Sequence, residues 1–131
     1  MAERSKDWLD QAKRDLDHAR HDLDDAFYEW ACFSAQQAAD KAVKAVFQRL
    51  GAEAWGHSIS DLLLALDERE HVPSDIAIAA AELDKAYVAT RYPDAHPSGS
   101  PGSRYVETEA DRMVEYADRI LRFCTDLLAA L

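Results

Sequence analysis

Glycine and proline are scarce in this chain, four of each in 131 residues. That leaves too few turn formers for an all-β fold of many short strands. Cysteine is scarcer still. The two present, Cys32 and Cys124, lie on apolar helical stretches, which excludes a disulfide framework and fits buried free thiols. Long hydrophobic runs are missing; the longest falls far below the ~18 residues that a membrane span needs. Met1 to Lys6 is followed by charged residues rather than the apolar core of a signal peptide, so a cytoplasmic location is expected. Positive charge is in deficit as well: 15 Lys and Arg stand against 25 Asp and Glu, a formal net charge of -10. A general nucleic-acid coat needs a basic surface and is excluded; a small cationic pocket is not.

What remains is a helix-forming composition. Hydrophobic residues make up 48% and charged residues 31%, as in a globular protein, and the length fits one domain over residues 1–131. Leu9, Ala12, Leu16, Ala19, Leu23 and Ala26 repeat at spacings of three and four, which predicts a first helix from Ser5 to Asp25 with a charged outer face. A second helix, Phe27 to Leu50, is apolar nearly all round and therefore central, and Gly51 is its natural stop. Ser58 and Asp61 form a capping-box-like start for a short third helix ending near Glu70, ahead of Val72-Pro73. Ser74 is the expected N-cap of a fourth helix carrying Ile76, Ala80, Leu83, Tyr87 and Thr90. The segment from Arg91 to Ser103 holds three of the four prolines and is the one long loop. Thr108 and Asp111 start the last helix, whose stripe of Ala110, Met113, Ala117, Ile120, Cys124, Leu127 and Leu131 is widened by Val114, Leu121 and Leu128. That width fits either the fourth wall of a bundle or contact with a second protomer. The fold class is all-α: an up-and-down bundle of four long helices plus one short helix.

Two places combine charge with apolar surroundings. Gln37, Lys41 and Lys44 share one face of the second helix, where they either meet the loop or simply extend their ammonium heads to water. At the end of the fourth helix Arg91 shares a face with Tyr87, and Pro93 pushes Tyr92 away from helical geometry. The Arg91 fork suits a phosphate, with Asp94 holding it or binding a ribose; alternatively Arg91 and Asp94 form a salt bridge that closes the loop. His57 either orients the start of the third helix or lines the pocket, and His71 reads as loop surface. His18 and His21 with Asp22 and Asp25 are the only residues spaced for a helix-surface metal, and nothing nearby completes that site. No metal or cofactor is expected.

Ser34-Ala35-Gln36-Gln37-Ala38-Ala39-Asp40-Lys41-Ala42-Val43-Lys44-Ala45, then Gly56-His57-Ser58-Ile59, then Arg91-Tyr92-Pro93-Asp94, in that order and spacing, resemble the HEPN family. Asp40 stands where members often carry Glu. The resemblance runs from Trp8 into the last helix. It implies a bundle of four or five helices that dimerises, often encoded beside a minimal nucleotidyltransferase as a two-component, toxin–antitoxin-like system. Ligand contact would fall to Gln37, Lys41, Lys44, His57, Tyr87, Arg91, Tyr92 and Asp94, the ligand being a nucleotide or RNA. Many members are metal-independent endoribonucleases with an Arg and a His separated by four to six residues. Arg91 and His96 match that pattern with four between, and Arg14 and His21 match it with six. In such a reaction the His, near its ordinary pKa of ~6.5, moves a proton and the Arg stabilises the charged phosphorus centre. Tyr92, directly after Arg91, replaces the polar residue usual in active members. The third reading is a helical interaction module with no ligand.

Overall fold

The structure is a computed structural model that describes residues 3–131. The helices are α1 (Ser5–Asp24), α2 (Tyr28–Leu50), α3 (Ile59–Leu66), α4 (Ser74–Asp84), α5 (Ala86–Ala89), α6 (Pro101–Arg104) and α7 (Glu107–Ala130), with a 3-10 turn at Pro93–Ala95. No strand occurs among the described residues. The expected bundle is therefore present.

Helix α2 is the axis. It packs against every other helix, most extensively against α1 and α7. Its fully buried positions are dominated by alanine: Ala31, Ala35, Ala38, Ala39, Ala42 and Ala45. Small side chains let neighbouring backbones approach closely, and the volume is filled from outside by Leu16 of α1, Leu63 and Leu66 of α3, Leu83 of α4 and Ile120 of α7. Each such Leu or Ile contributes about 1.5–3 kcal/mol on burial. Gly51 ends α2 in the left-handed region at φ 67°, with its N–H on the carbonyl of Gln48. The wide apolar stripe of α7 is accounted for inside one chain, because α7 touches α1, α2 and α4.

Several boundaries differ from expectation. Ser74 is the first helical residue of α4 rather than its cap; Pro73 takes the cap position, pre-set by its ring, and no side chain bonds there. Helix α7 begins at Glu107 behind Val106, again with no side-chain cap. The third helix stops at Leu66, and the Asp67 carboxylate accepts from the Val72 N–H at 2.8 Å to close the turn that follows. The fourth helix breaks at Lys85 and resumes as α5, where buried Thr90 bonds back to the Ala86 carbonyl at 2.7 Å. A Thr hydroxyl bonded one turn back competes with the helical ladder, consistent with the helix ending there. Tyr92 is extended at φ -125°, ψ 127°, as the following proline requires.

Candidate functional site

Phe33, Gln37, Asp40 and Lys44 recur at spacings of four, three and four along α2, so they lie on one face. That face meets the turn before α3 and the α4–α5 junction. The Asp40 carboxylate is 3% exposed; Oδ2 accepts from Lys44 Nζ at 2.9 Å, and Oδ1 has no hydrogen-bond partner. His57 Nδ1 stands 3.6 Å from the same Oδ2.

His57 reaches this place because its segment is pinned from two sides. Gly56 turns the chain at φ 75°, a conformation that L side chains rarely adopt. Behind it, Asp84 accepts from the N–H of Ile59 at 2.8 Å, the N–H of Ser60 at 3.0 Å and the hydroxyl of Ser58 at 3.3 Å. Ser58 in turn caps Asp61 N–H at 3.2 Å, as its spacing predicts. The free donors of the α3 N-terminus are thus satisfied by Asp84 of α4 and by the Ser58 hydroxyl. From the other side, Gln36 Nε2 donates to the His57 carbonyl at 3.3 Å, and Gln37 Nε2 donates to Gln36 Oε1 at 2.8 Å.

The His57 ring stacks on Tyr87, with centroids 4.7 Å apart and planes at 18°. The Arg91 guanidinium lies 4.4 Å from the Phe33 ring centroid, 5.0 Å from that of Tyr87 and 5.3 Å from that of Tyr92. Its Nε and one terminal nitrogen both donate to the Tyr87 carbonyl. A planar cation held on aromatic faces keeps its remaining donors free for an anion. Lys44, His57, Tyr87 and Arg91 are therefore linked through Asp40 and the aromatic rings, on an otherwise acidic protein.

Other predicted residues go elsewhere. Lys41 turns to α1 and pairs with Asp15, so it does not join Arg91. Asp94 is exposed, and no Arg91–Asp94 ion pair forms among the described residues. His96 Nε2 contacts the Ala89 carbonyl and its ring stands edge-on to Tyr105 at 6.1 Å. A carbonyl only accepts, so that nitrogen carries the proton and spends it on the main chain. His18 binds Ser34 Oγ through Nδ1 at 2.9 Å, and no group of three or more His, Cys, Asp or Glu among the described residues is placed to hold a metal. Arg14 and His21 stay on the exposed face of α1, and His71 is exposed. No helix of the described residues is long and apolar enough to cross a membrane.

Phe33, Asp40 and Asp84 carry the site without having been singled out as contact residues. A signal existed for the first two, which share the face of Lys44. None existed for Asp84, whose partners are 24 to 26 residues away in sequence.

The HEPN domain model matches residues 5–127. The chain belongs to the HEPN family. Among solved structures, the HEPN protein has a counterpart in TT1696 from Thermus thermophilus, at TM-score 0.93 and 47% identity, covering 95% of this chain and 98% of that one. An HEPN domain protein of Thermotoga maritima is 56% identical at TM-score 0.79, with coverage of 95% and 98%. ST0689, an archaeal HEPN homologue, is 43% identical at TM-score 0.83, with coverage of 96% and 98%. No curated protein sequence matches the chain.

Proposed function

We propose that this HEPN protein is the nucleotide- or RNA-binding component of a two-component, toxin–antitoxin-like system, working with a minimal nucleotidyltransferase. The ligand phosphate is taken at His57 and Arg91, with Tyr87 as the shared platform, while Lys44 stays paired with Asp40. One observation carries the reading: Arg91 is held over Phe33 and Tyr87 while His57 stacks on the same tyrosine. Two nitrogen-rich groups on one aromatic shelf, in a chain of net charge -10, form a local anion site that overall composition disfavours. Homodimerisation is part of the proposal. Phe27 just before α2, Trp30 in its first turn, Val88 of α5 and Tyr92 beyond it are large apolar side chains left exposed, and of these Trp30 meets Phe33 and Tyr92 meets Arg91 at the shelf.

Thermal unfolding with nucleoside mono- and triphosphates tests the binding. Ligand at 100 times Kd adds about 2.7 kcal/mol. The wild type should be stabilised and Arg91→Ala should not. No stabilisation by any nucleotide refutes the reading and favours a ligand-free interaction module. Incubation with RNA and EDTA tests the enzyme reading, in which chelator-resistant cleavage is lost in His96→Ala.

A further inference from the structure

Asp40 is a buried carboxylate with unused capacity. An ionised carboxylate offers about four acceptor sites, and here Lys44 supplies the one hydrogen bond it accepts among the described residues, to Oδ2, while Oδ1 is buried with no donor. Buried acceptors left empty are costly, and those that persist in a native structure call for an explanation. The His57 imidazole also approaches this carboxylate, with Nδ1 3.6 Å from Oδ2, just beyond hydrogen-bond length. Catalytic and binding hydrogen bonds are often long in the free protein and tighten when ligand arrives.

We propose that Asp40 is a positioning residue that makes His57 the phosphate-contacting imidazole of this site, in preference to His96. This rests on the phosphate-binding reading above. With Nδ1–H turned to Asp40, Nε2 is the nitrogen left to meet the ligand, and a phosphate monoester is the anion that favours the imidazolium there. The ring is half exposed; its residue's carbonyl accepts from Gln36, its face stacks on Tyr87, and Nδ1 stands 3.6 Å from the Asp40 carboxylate. A reachable imidazole with its backbone anchored and its face stacked is preorganised. His96 differs: its Nε2 proton is committed to the Ala89 carbonyl, and no carboxylate lies within 4.0 Å of its ring nitrogens among the described residues.

Nitrogen-resolved imidazole NMR spectra of the full chain decide the matter, recorded with and without adenosine 5′-monophosphate and inorganic phosphate. In the wild type the His57 Nε2 resonance should move on addition and that of His96 should stay. His96→Ala should bind with unchanged affinity. Asp40→Asn should weaken binding by about tenfold, the worth of a hydrogen bond to a charged group. Because that substitution also releases Lys44, it is combined with His57→Gln: if Asp40 acts through His57, the double variant loses no more than His57→Gln alone. A silent His57, a moving His96, or additive losses would overturn the proposal while leaving phosphate binding in place. If Asp40→Asn fails to fold, the wild-type spectra alone decide. Absence of any thermal shift in the wild type would fail the binding reading itself, and this inference with it.

Discussion

Asp84→Ala is the substitution whose cost the structure specifies best. Helix α3 has eight residues, too few to persist without tertiary support. Its N-terminus is held by a carboxylate from α4 that accepts from Ile59 N–H, Ser60 N–H and the Ser58 hydroxyl. A side-chain cap is worth about 1 kcal/mol, and a negative charge at a helix N-terminus adds roughly 0.3–1 kcal/mol. Ile59 is fully buried, so its freed N–H is poorly rehydrated, whereas Ser60 is half-buried and recovers water. The total is about 2–3 kcal/mol, which for a domain of this size lowers Tm by roughly 6–12 °C. Asp84→Asn keeps an acceptor and loses the charge, so it should fall about midway. Ser58→Ala should couple to Asp84→Ala rather than add to it, since the two side chains are bonded to each other. Calorimetry gives the Tm values, and amide exchange at Ile59 and Ser60 locates the loosening. A Tm for Asp84→Ala within about 2 °C of wild type would refute the claim that α4 clamps α3.

Lys44→Met should destabilise by about 3 kcal/mol, because it strands a buried Asp40 charge, and adding Asp40→Asn should restore most of that loss in urea titrations. Lys41→Met breaks a more exposed pair and should cost under about 1 kcal/mol, with nucleotide-induced thermal shifts unchanged. Burial pushes the Cys32 thiol up to about 12 and raises Cys124 as well, so neither should react with a thiol reagent at pH 8 until the chain unfolds. Burial also raises the Asp22 carboxyl above its ordinary 3.8, with His18 opposing. A folded-state value above the unfolded one means that ionised Asp22 subtracts stability at neutral pH. The penalty disappears as pH falls through the folded value towards 3.8. Asp22→Asn should therefore raise Tm at pH 7 and raise it less near pH 4.

The bundle was legible because its signals are local and periodic. Spacings of three and four marked the buried faces of α1, α4 and α7, Gly51 ended α2, and the Ser58 cap worked as its spacing predicts. Boundaries at Pro73 and Val106 were missed because these helix starts use backbone geometry without a side-chain cap. The site was only half legible. Arg91 and Tyr87 share a face by sequence spacing alone, and they do meet. Lys41 and Lys44 are three apart and looked equivalent, but a helix turns enough in three residues to send Lys41 to Asp15 and Lys44 to Asp40. Nothing in the sequence around Asp84 or His57 discloses that one clamps the turn that delivers the other.

The charge distribution makes a last prediction about kinetics. Asp40 largely neutralises Lys44, so an incoming phosphate meets Arg91 and His57 against the background of a chain at net -10. The two contributions act over different ranges. Site contacts operate within a few ångströms, inside any screening length. The repulsion from distant carboxylates is long-ranged: the Debye length is about 30 Å at 0.01 M salt and about 8 Å at 0.15 M. Raising salt across that interval should therefore remove more repulsion than attraction, and the association rate of a nucleotide should increase. That is the reverse of a basic nucleic-acid binder, whose association slows with salt. Stopped-flow binding at the two ionic strengths reads the sign directly. A rate that falls with salt would show that the cations of this shelf govern the approach as well as the bound state, and that Asp40 does not neutralise Lys44 as the structure places it.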